Sequence, residues 1–456
     1  MTDQKARNKL GNEPIWDIRK LPIAARGLLG LQHLFAMFGA TVLVPLLTGL
    51  DISTTLLMAG LGTLLFHLIT KGKVPAFLGS SFAFLGGYAA VAPMVDGMAN
   101  SKMLPYASGG VFFAGLVYVV LAAFIKFFGV KKVMRFFPPV VTGPIIVSIG
   151  LTLAPSAIAN ASTNWIVALS AIAIVVYFNI WGKGMMKIIP IILGVLGGYV
   201  VALLMHEVDF SSVAAAHIIG SPIKPQNFMK FDISAIISIV PISLATMMEH
   251  IGDITAISAT VGRNYIQDPG LHRTLLGDGL ATSMASIVGG PANTTYGENT
   301  GVLVLTRVYD PRAMRLAAVF AIILSFFPVV SEVIRSIPIS VIGGVSLILY
   351  GMISSVGVRN LVENQIDFTK SRNLIVAAAI FVCALGFTGS VPGISFTIAG
   401  VTIKLSGLAI AAIVGILLNA LLPGKDYVFR EDAPKETGVD FSGTDTTLEG
   451  HGESAE

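Results

Sequence analysis

The sequence is short of charge. Only 12% of its 456 residues are Asp, Glu, Lys or Arg, about half of the roughly 25% that a soluble domain carries. That shortage excludes an ordinary water-soluble globule. There is one cysteine, Cys383, set in an apolar run, which excludes an intramolecular disulfide and argues against a cysteine metal site. Lys and Arg are almost absent from the apolar runs and sit in the short connections between them. The net charge of +4 and the pI near 9.0 therefore do not describe a nucleic-acid-binding surface. No His-Glu-x-x-His zinc motif, no Gly-x-Gly-Asp arrangement around Asp253 or Asp278, and no Ser–His pair occurs. An enzyme reading has nothing to stand on, and no cofactor is implied. The polar, charged N-terminus reads as lacking a cleavable signal peptide.

What the sequence does have is apolar length. Hydrophobic residues make up 54% of it, and the mean hydropathy is +0.79. Runs of about 20 apolar residues recur, as membrane-spanning helices require. The pattern predicts an all-α polytopic membrane protein with fourteen segments, some broken. They fall at 27–49, 52–70, 74–93, 106–128, 136–157, 164–182 and 186–206, then 233–260, 273–290, 291–306, 312–334, 336–354, 373–390 and 400–423. With the N-terminus inside, 25 of the 30 Lys and Arg collect on the cytoplasmic side, so both termini are expected there. The tail from 424 onward, rich in Gly, Ser, Thr and acids, reads as disordered.

The halves answer one another. Gln32-His33 is matched by Glu249-His250, Pro75-Ala76 by Pro291-Ala292, and Arg135-x-x-Pro138-x-x-x-x-Gly143 by Arg335-x-x-Pro338-x-x-x-x-Gly343. Seven segments per half is an odd number, so the second copy crosses in the opposite sense. Inverted repeats of this kind belong to secondary transporters, with substrate held near the midplane.

Polar residues gather at membrane depth. Pro291–Arg307 holds Asn293, Thr294, Thr295, Tyr296, Glu298 and Asn299 between apolar segments, which lipid tolerates only around a cavity or inside protein. Segments 3 and 10 each open with Pro-Ala and become continuously apolar only later. Val74–Phe82 and Pro291–Glu298 are therefore expected as two short antiparallel strands, paired with each other so that their backbone groups are satisfied. Each strand would lead into a half-helix whose positive end faces a ligand. Glu249 and Asp253 are four apart and share a helix face; Asp278 and Glu298 lie in the next two segments. No internal cation neutralises these acids, which suits groups that take up and release protons, although Na⁺ coordination is an open alternative. His33 reads equally as a site residue or as part of a core hydrogen-bond network. Phe82, Tyr296 and Tyr350 offer aromatic faces to a planar ligand.

Glu298-Asn299-Thr300-Gly301-Val302-Leu303-Val304-Leu305-Thr306-Arg307 resembles the signature of the nucleobase–ascorbate transporter family. Gln32-His33, Leu78-Gly79-Ser80-Ser81-Phe82-Ala83-Phe84 and Glu249-His250-Ile251-Gly252 support the resemblance, which covers roughly residues 20 to 424. Glutamate at 298 is similar to the bacterial uracil permease branch. The resemblance implies a core domain (25–128 and 233–334), a gate domain (129–232 and 335–423), and cytoplasmic ends at 1–24 and 424–456. It implies substrate contacts from Glu249, Glu298, Phe82, Tyr296, Gly297, Tyr350 and Ala40. Proton coupling would fall to Glu298, Asp253, Asp278 or His33, with Gln32, Asn299 and Ser81 in support. The partners implied are uracil, H⁺, the bacterial cytoplasmic membrane and a second copy docked through the gate domain. A purine carrier for xanthine or urate is the runner-up. An anion carrier would be poorly served by four acids, and a channel would want a continuous polar pore.

Overall fold

The computed structural model describes residues 13–94, 99–387, 391, 393–398 and 401–424. The tail from 425 onward and residues 1–12 lie outside the described residues, so the reading of a disordered tail does too. Among the described residues six helices are long and apolar enough to cross a membrane, or seven when a bent pair counts as one span. Shorter apolar helices occupy five of the other expected segments, so fourteen full crossings are not established by length.

We label the helices by the segments they occupy. The first half contains α1 (Ile23–Thr48), α2 (Ile52–Ile69), α3 (Leu85–Val91), α4 (Leu104–Phe128), α5 (Pro139–Ala161), α6 (Trp165–Trp181) and α7 (Pro190–Leu204). The second contains α8 (Ile242–Val261), α9 (Leu271–Ile287), α10 (Gly297–Thr306), α11 (Arg312–Ser325), α12 (Ile339–Glu363), α13 (Ser371–Gly386) and α14 (Gly407–Leu421). Two strands precede the half-helices: β1 (Leu78–Ser80) leads to α3 through a turn at Phe82–Phe84, and β2 (Asn293–Thr295) leads to α10.

The strands pair as the sequence required. They are antiparallel, with Leu78 opposite Thr295, Gly79 opposite Thr294 and Ser80 opposite Asn293. The Tyr296 N–H donates to the Phe77 carbonyl and the Ser81 N–H to the Ala292 carbonyl, extending the ladder at both ends. All six strand residues are buried, so each strand satisfies the other where water is absent.

Four details depart from the expected segments. The segment at 233–260 is broken at Val240-Pro241 into Ile233–Ile239 and α8, because proline has no N–H for the helix ladder. The segment at 312–334 bends by 88° between α11 and a short helix, Pro328–Arg335, again at a proline. The segment at 336–354 continues to Glu363. Residues 393–406, assigned in part to the last helix, form a hairpin of β3 (Gly393–Ile398) and β4 (Val401–Ser406). Its alternating Ile394-Ser395-Phe396-Thr397 and Thr402-Ile403-Lys404-Leu405 has the period of two that strands favour.

Helix contacts fall into two sets. In one, α2 packs on α11 and α9, α4 on α9, and α1 on α11; in the other, α5 packs on α12 and α13, and α6 on α7 and α12. Small residues permit the closest crossings, as is common between membrane helices. A Cβ on Gly150 would lie 2.2 Å from the Tyr350 carbonyl oxygen, and one on Gly357 would lie 2.5 Å from the Val147 nitrogen. Helix α8 touches α4 and α10 in the first set and α5 and α14 in the second.

Candidate functional site

The site begins with a proline. Pro45 lies inside α1 and cannot donate to the carbonyl of Thr41, four residues back. The Ser80 hydroxyl of β1 takes that place, donating to the Thr41 carbonyl at 2.9 Å. The Tyr296 hydroxyl, just past β2, donates to the Ser80 carbonyl at 2.8 Å and accepts from Thr41 Oγ1 at 3.2 Å. Its ring lies against Gly79, where a Cβ would be 2.5 Å from it. Helix α1 and both strands are thus locked together by groups that would otherwise be unpaired. Tyr296 is consequently a structural tie at its hydroxyl and buried at its ring.

On the other side of the strand pair, Thr295 Oγ1 donates to Asp253 Oδ2 at 2.9 Å and lies 3.4 Å from His250 Nδ1. His250 Nδ1 is 2.8 Å from Asp278 Oδ2, with both side chains fully buried. Asp278 is therefore set behind the strands, not beside Glu298. Thr282 of α9 clamps β2 from the same direction, donating to the Asn293 carbonyl at 2.9 Å and accepting its N–H at 3.2 Å.

Glu249, Asp253 and Glu298 sit deep among the helices, yet each keeps part of its surface accessible. Gly297, at the start of α10, is exposed, and a Cβ there would meet only Asp253 Oδ1, at 3.7 Å. These residues therefore border a cleft within the helix array. Glu298 and Asp278 lie within coulombic reach of Glu249, and all three act on Asp253. Glu249 Oε2 is buried without a hydrogen-bond partner among the described residues. Such a group is costly unless a ligand or proton answers it. Glu298 occupies the first turn of α10, where the helix dipole favours negative charge. Phe82 and Tyr350 meet edge to face at 5.7 Å between ring centroids.

The remaining expected residues lie on α1, at the first junction and in α10. Asn299 donates to the His33 carbonyl at 3.0 Å, and its amide nitrogen is 3.2 Å from His33 Nδ1. This joins α10 to α1 and gives His33 its place in a buried network. Gln32 is half-buried on α1 with its Oε1 unpartnered, and the Ser81 hydroxyl is likewise unpartnered among the described residues. Ala40 is buried within the unbroken turns of α1. Thr41 was not among the expected site residues, although the proline four residues after it is a readable signal. Thr295 and His250 stood in the polar run and in the repeat, but their partners depend on the strand pairing.

A Permease family model matches residues 26–393. The uracil permease of Bacillus caldolyticus is 44% identical over 428 residues, covering 91% of this chain and 96% of that protein. The uracil permease of Bacillus subtilis (strain 168) is 41% identical, covering 86% and 91% respectively. Among solved structures, the murine Solute Carrier 26 family member A9 anion transporter in the inward-facing state aligns with a TM-score of 0.62 at 12% identity. That alignment covers 91% of this chain and 70% of the other. At so low an identity the likeness concerns the fold alone.

Proposed function

The chain belongs to the Permease family, the nucleobase–ascorbate transporters, and from that premise we propose that it carries uracil across the bacterial cytoplasmic membrane by proton symport. It is an integral membrane transporter and not an enzyme. The observation that carries the substrate reading is the buried Glu249 oxygen without a hydrogen-bond partner among the described residues, on a helix packed against α10, whose first residues are the exposed Gly297 and the partly exposed Glu298.

Uracil matches that cleft. Its ring N–H groups can donate to carboxylates at 249 and 298, and its carbonyl oxygens can accept from N–H groups in the first turn of α10. Phe82 and Tyr350 offer a face to the planar ring. Proton coupling belongs to the acids grouped here, with Glu298 and Asp253 nearest the cleft. The two helix sets act as core (25–128 and 233–334) and gate (129–232 and 335–423), the core rocking against the gate, and the proton biases which side the cleft faces. Two copies associate through the gate.

Uptake of labelled uracil into proteoliposomes, with and without an inward proton gradient and with xanthine and thymine as competitors, tests the reading. Gradient-stimulated uptake that unlabelled uracil suppresses more strongly than xanthine is expected. Indifference to both uracil and the gradient sinks it.

A further inference from the structure

Far from the cleft, the connection between α4 and α5 meets the C-terminal end of α14 around a cavity of about 370 Å³. Lys132, Arg135, Phe136, Asn419 and Ala420 line it. Asn419 is buried and organises its walls. The Asn419 amide donates to the Arg135 carbonyl at 3.1 Å and to the Phe136 carbonyl at 3.5 Å, while its Oδ1 accepts from Arg372 Nη2 at 2.6 Å. One side chain thereby joins the backbone carrying Arg135 to the guanidinium of Arg372. This is a built site, held by a buried amide, rather than a chance gathering of surface lysines.

Its charge is one-sided. Among the described residues no carboxylate lies within ion-pair distance of Lys132, Arg135 or Arg372. Arg372 Nε is buried with no hydrogen-bond partner among them. Two cations, Lys132 and Arg135, line one cavity with a third, Arg372, held behind Asn419; their charges repel, and a multivalent oxyanion relieves that repulsion while using the forked donors of Arg135. The chain on either side is apolar and exposed at Phe127, Phe128, Phe136 and Leu421. A cationic recess bordered by exposed aromatic and aliphatic side chains matches a phosphate that carries acyl chains.

We propose that this cavity binds a phosphate group through Lys132 and Arg135, with Arg372 holding Asn419 in place behind them, and that an anionic membrane phospholipid supplies it. The site is independent of the uracil reading, since no residue is shared and the test below does not use uracil.

The full-length protein in neutral detergent is titrated with phosphatidylglycerol, phosphatidylcholine, glycerol 3-phosphate and inorganic phosphate. Binding is read by native mass spectrometry and by the shift in thermal unfolding. Phosphatidylglycerol should bind and raise the unfolding temperature, with phosphatidylcholine well behind it. The double substitution Lys132→Ala/Arg135→Ala should weaken phosphatidylglycerol binding roughly 30-fold, the loss expected for two basic residues facing an anionic lipid. Lys183→Ala/Lys187→Ala, which removes an equal charge at another connection, should retain it. Stabilisation by glycerol 3-phosphate or inorganic phosphate matching that of the lipid keeps the phosphate site and assigns a soluble source. Equal binding of the two lipids, or undiminished phosphatidylglycerol binding in the first double variant, overturns the proposal. Should that variant not fold, Lys132→Gln/Arg135→Gln carries the same comparison.

Discussion

The two strand-to-helix junctions share an architecture and differ in chemistry. At the first, β1 passes through Ser81 and Phe82 into α3, and every residue from Leu78 to Leu85 is buried. At the second, β2 passes through Tyr296 to Gly297, which is exposed, and then to Glu298. At the first junction Ser80 and Gly79 serve the fit of α1 and Tyr296, and the Ser81 hydroxyl is buried without a partner among the described residues. The second leaves a carboxylate and a bare backbone facing a cleft. Two junctions of one architecture can thus differ in polar chemistry, the first supplying close packing and the Phe82 ring and the second a carboxylate.

The sharpest way to break that comparison is at the acids. Glu249→Ala should weaken uracil binding at least about 30-fold, the lower end of the loss for truncating one partner of a buried charged hydrogen bond; equilibrium binding on purified protein measures it. Wild-type affinity would overturn the site assignment. Glu298→Gln should abolish gradient-driven accumulation of uracil while leaving exchange of labelled for unlabelled uracil detectable. Accumulation equal to wild type would move the coupling role elsewhere.

The paired glycines sharpen the comparison. Gly79→Ala forces a Cβ to within 2.5 Å of the Tyr296 ring and should cost about 1–3 kcal/mol of stability, as overpacking does. Gly297→Ala meets only Asp253 Oδ1 at 3.7 Å, so it should leave thermal unfolding unchanged and reduce uracil affinity. If both variants lose stability and keep affinity, the division of labour between the junctions is wrong. Ser80→Ala strands the Thr41 carbonyl that Pro45 frees, at a cost of about 1–3 kcal/mol, again read as thermal unfolding with affinity preserved.

The smallest effect lies outside both junctions and serves as their control. Asp51 caps α2, accepting the Thr54 N–H, and pairs with Lys224 at 2.6 Å. Burial pushes its carboxyl up, but the Lys224 and Thr54 hydrogen bonds and the charges of Lys224 and Arg335 outweigh that and leave it below its ordinary value. A lowered folded-state pKa means stabilisation that is complete above the unfolded value and lost as pH falls through the folded one. Wild-type thermal stability should therefore decline below about pH 4 more steeply than that of Asp51→Asn. At neutral pH the substitution should cost about 1 kcal/mol, since Lys224 is half in solvent, and leave uracil affinity alone. Identical acid profiles would remove the cap from the stability of this end of α2.

Much of this was readable in the chain. The shortage of charge and the recurrent apolar length dictate helices in lipid, because an unpaired backbone there is too costly. Pro-Ala at 75 and 291, followed by poor helix formers, dictates two strands that must find each other. The carboxylates at 249, 253, 278 and 298 stand out because lipid tolerates so few. The breaks at Pro241 and Pro328 were visible as prolines but not as angles, and the strands at 393–398 and 401–406 were visible as a period of two beside an apolar run long enough for a helix. What only the tertiary structure decided is partnership. It sends Asp278 to His250 behind the strands, ties the Tyr296 hydroxyl to Ser80 and Thr41, and leaves Glu249 Oε2 without a partner among the described residues. Composition and period report the solvent a residue must live in, one residue at a time. Which acid is answered from within depends on contacts such as Thr295 with Asp253, 42 positions apart, on strands held in place by contacts such as Tyr296 with Ser80, 216 apart, and no local pattern encodes those.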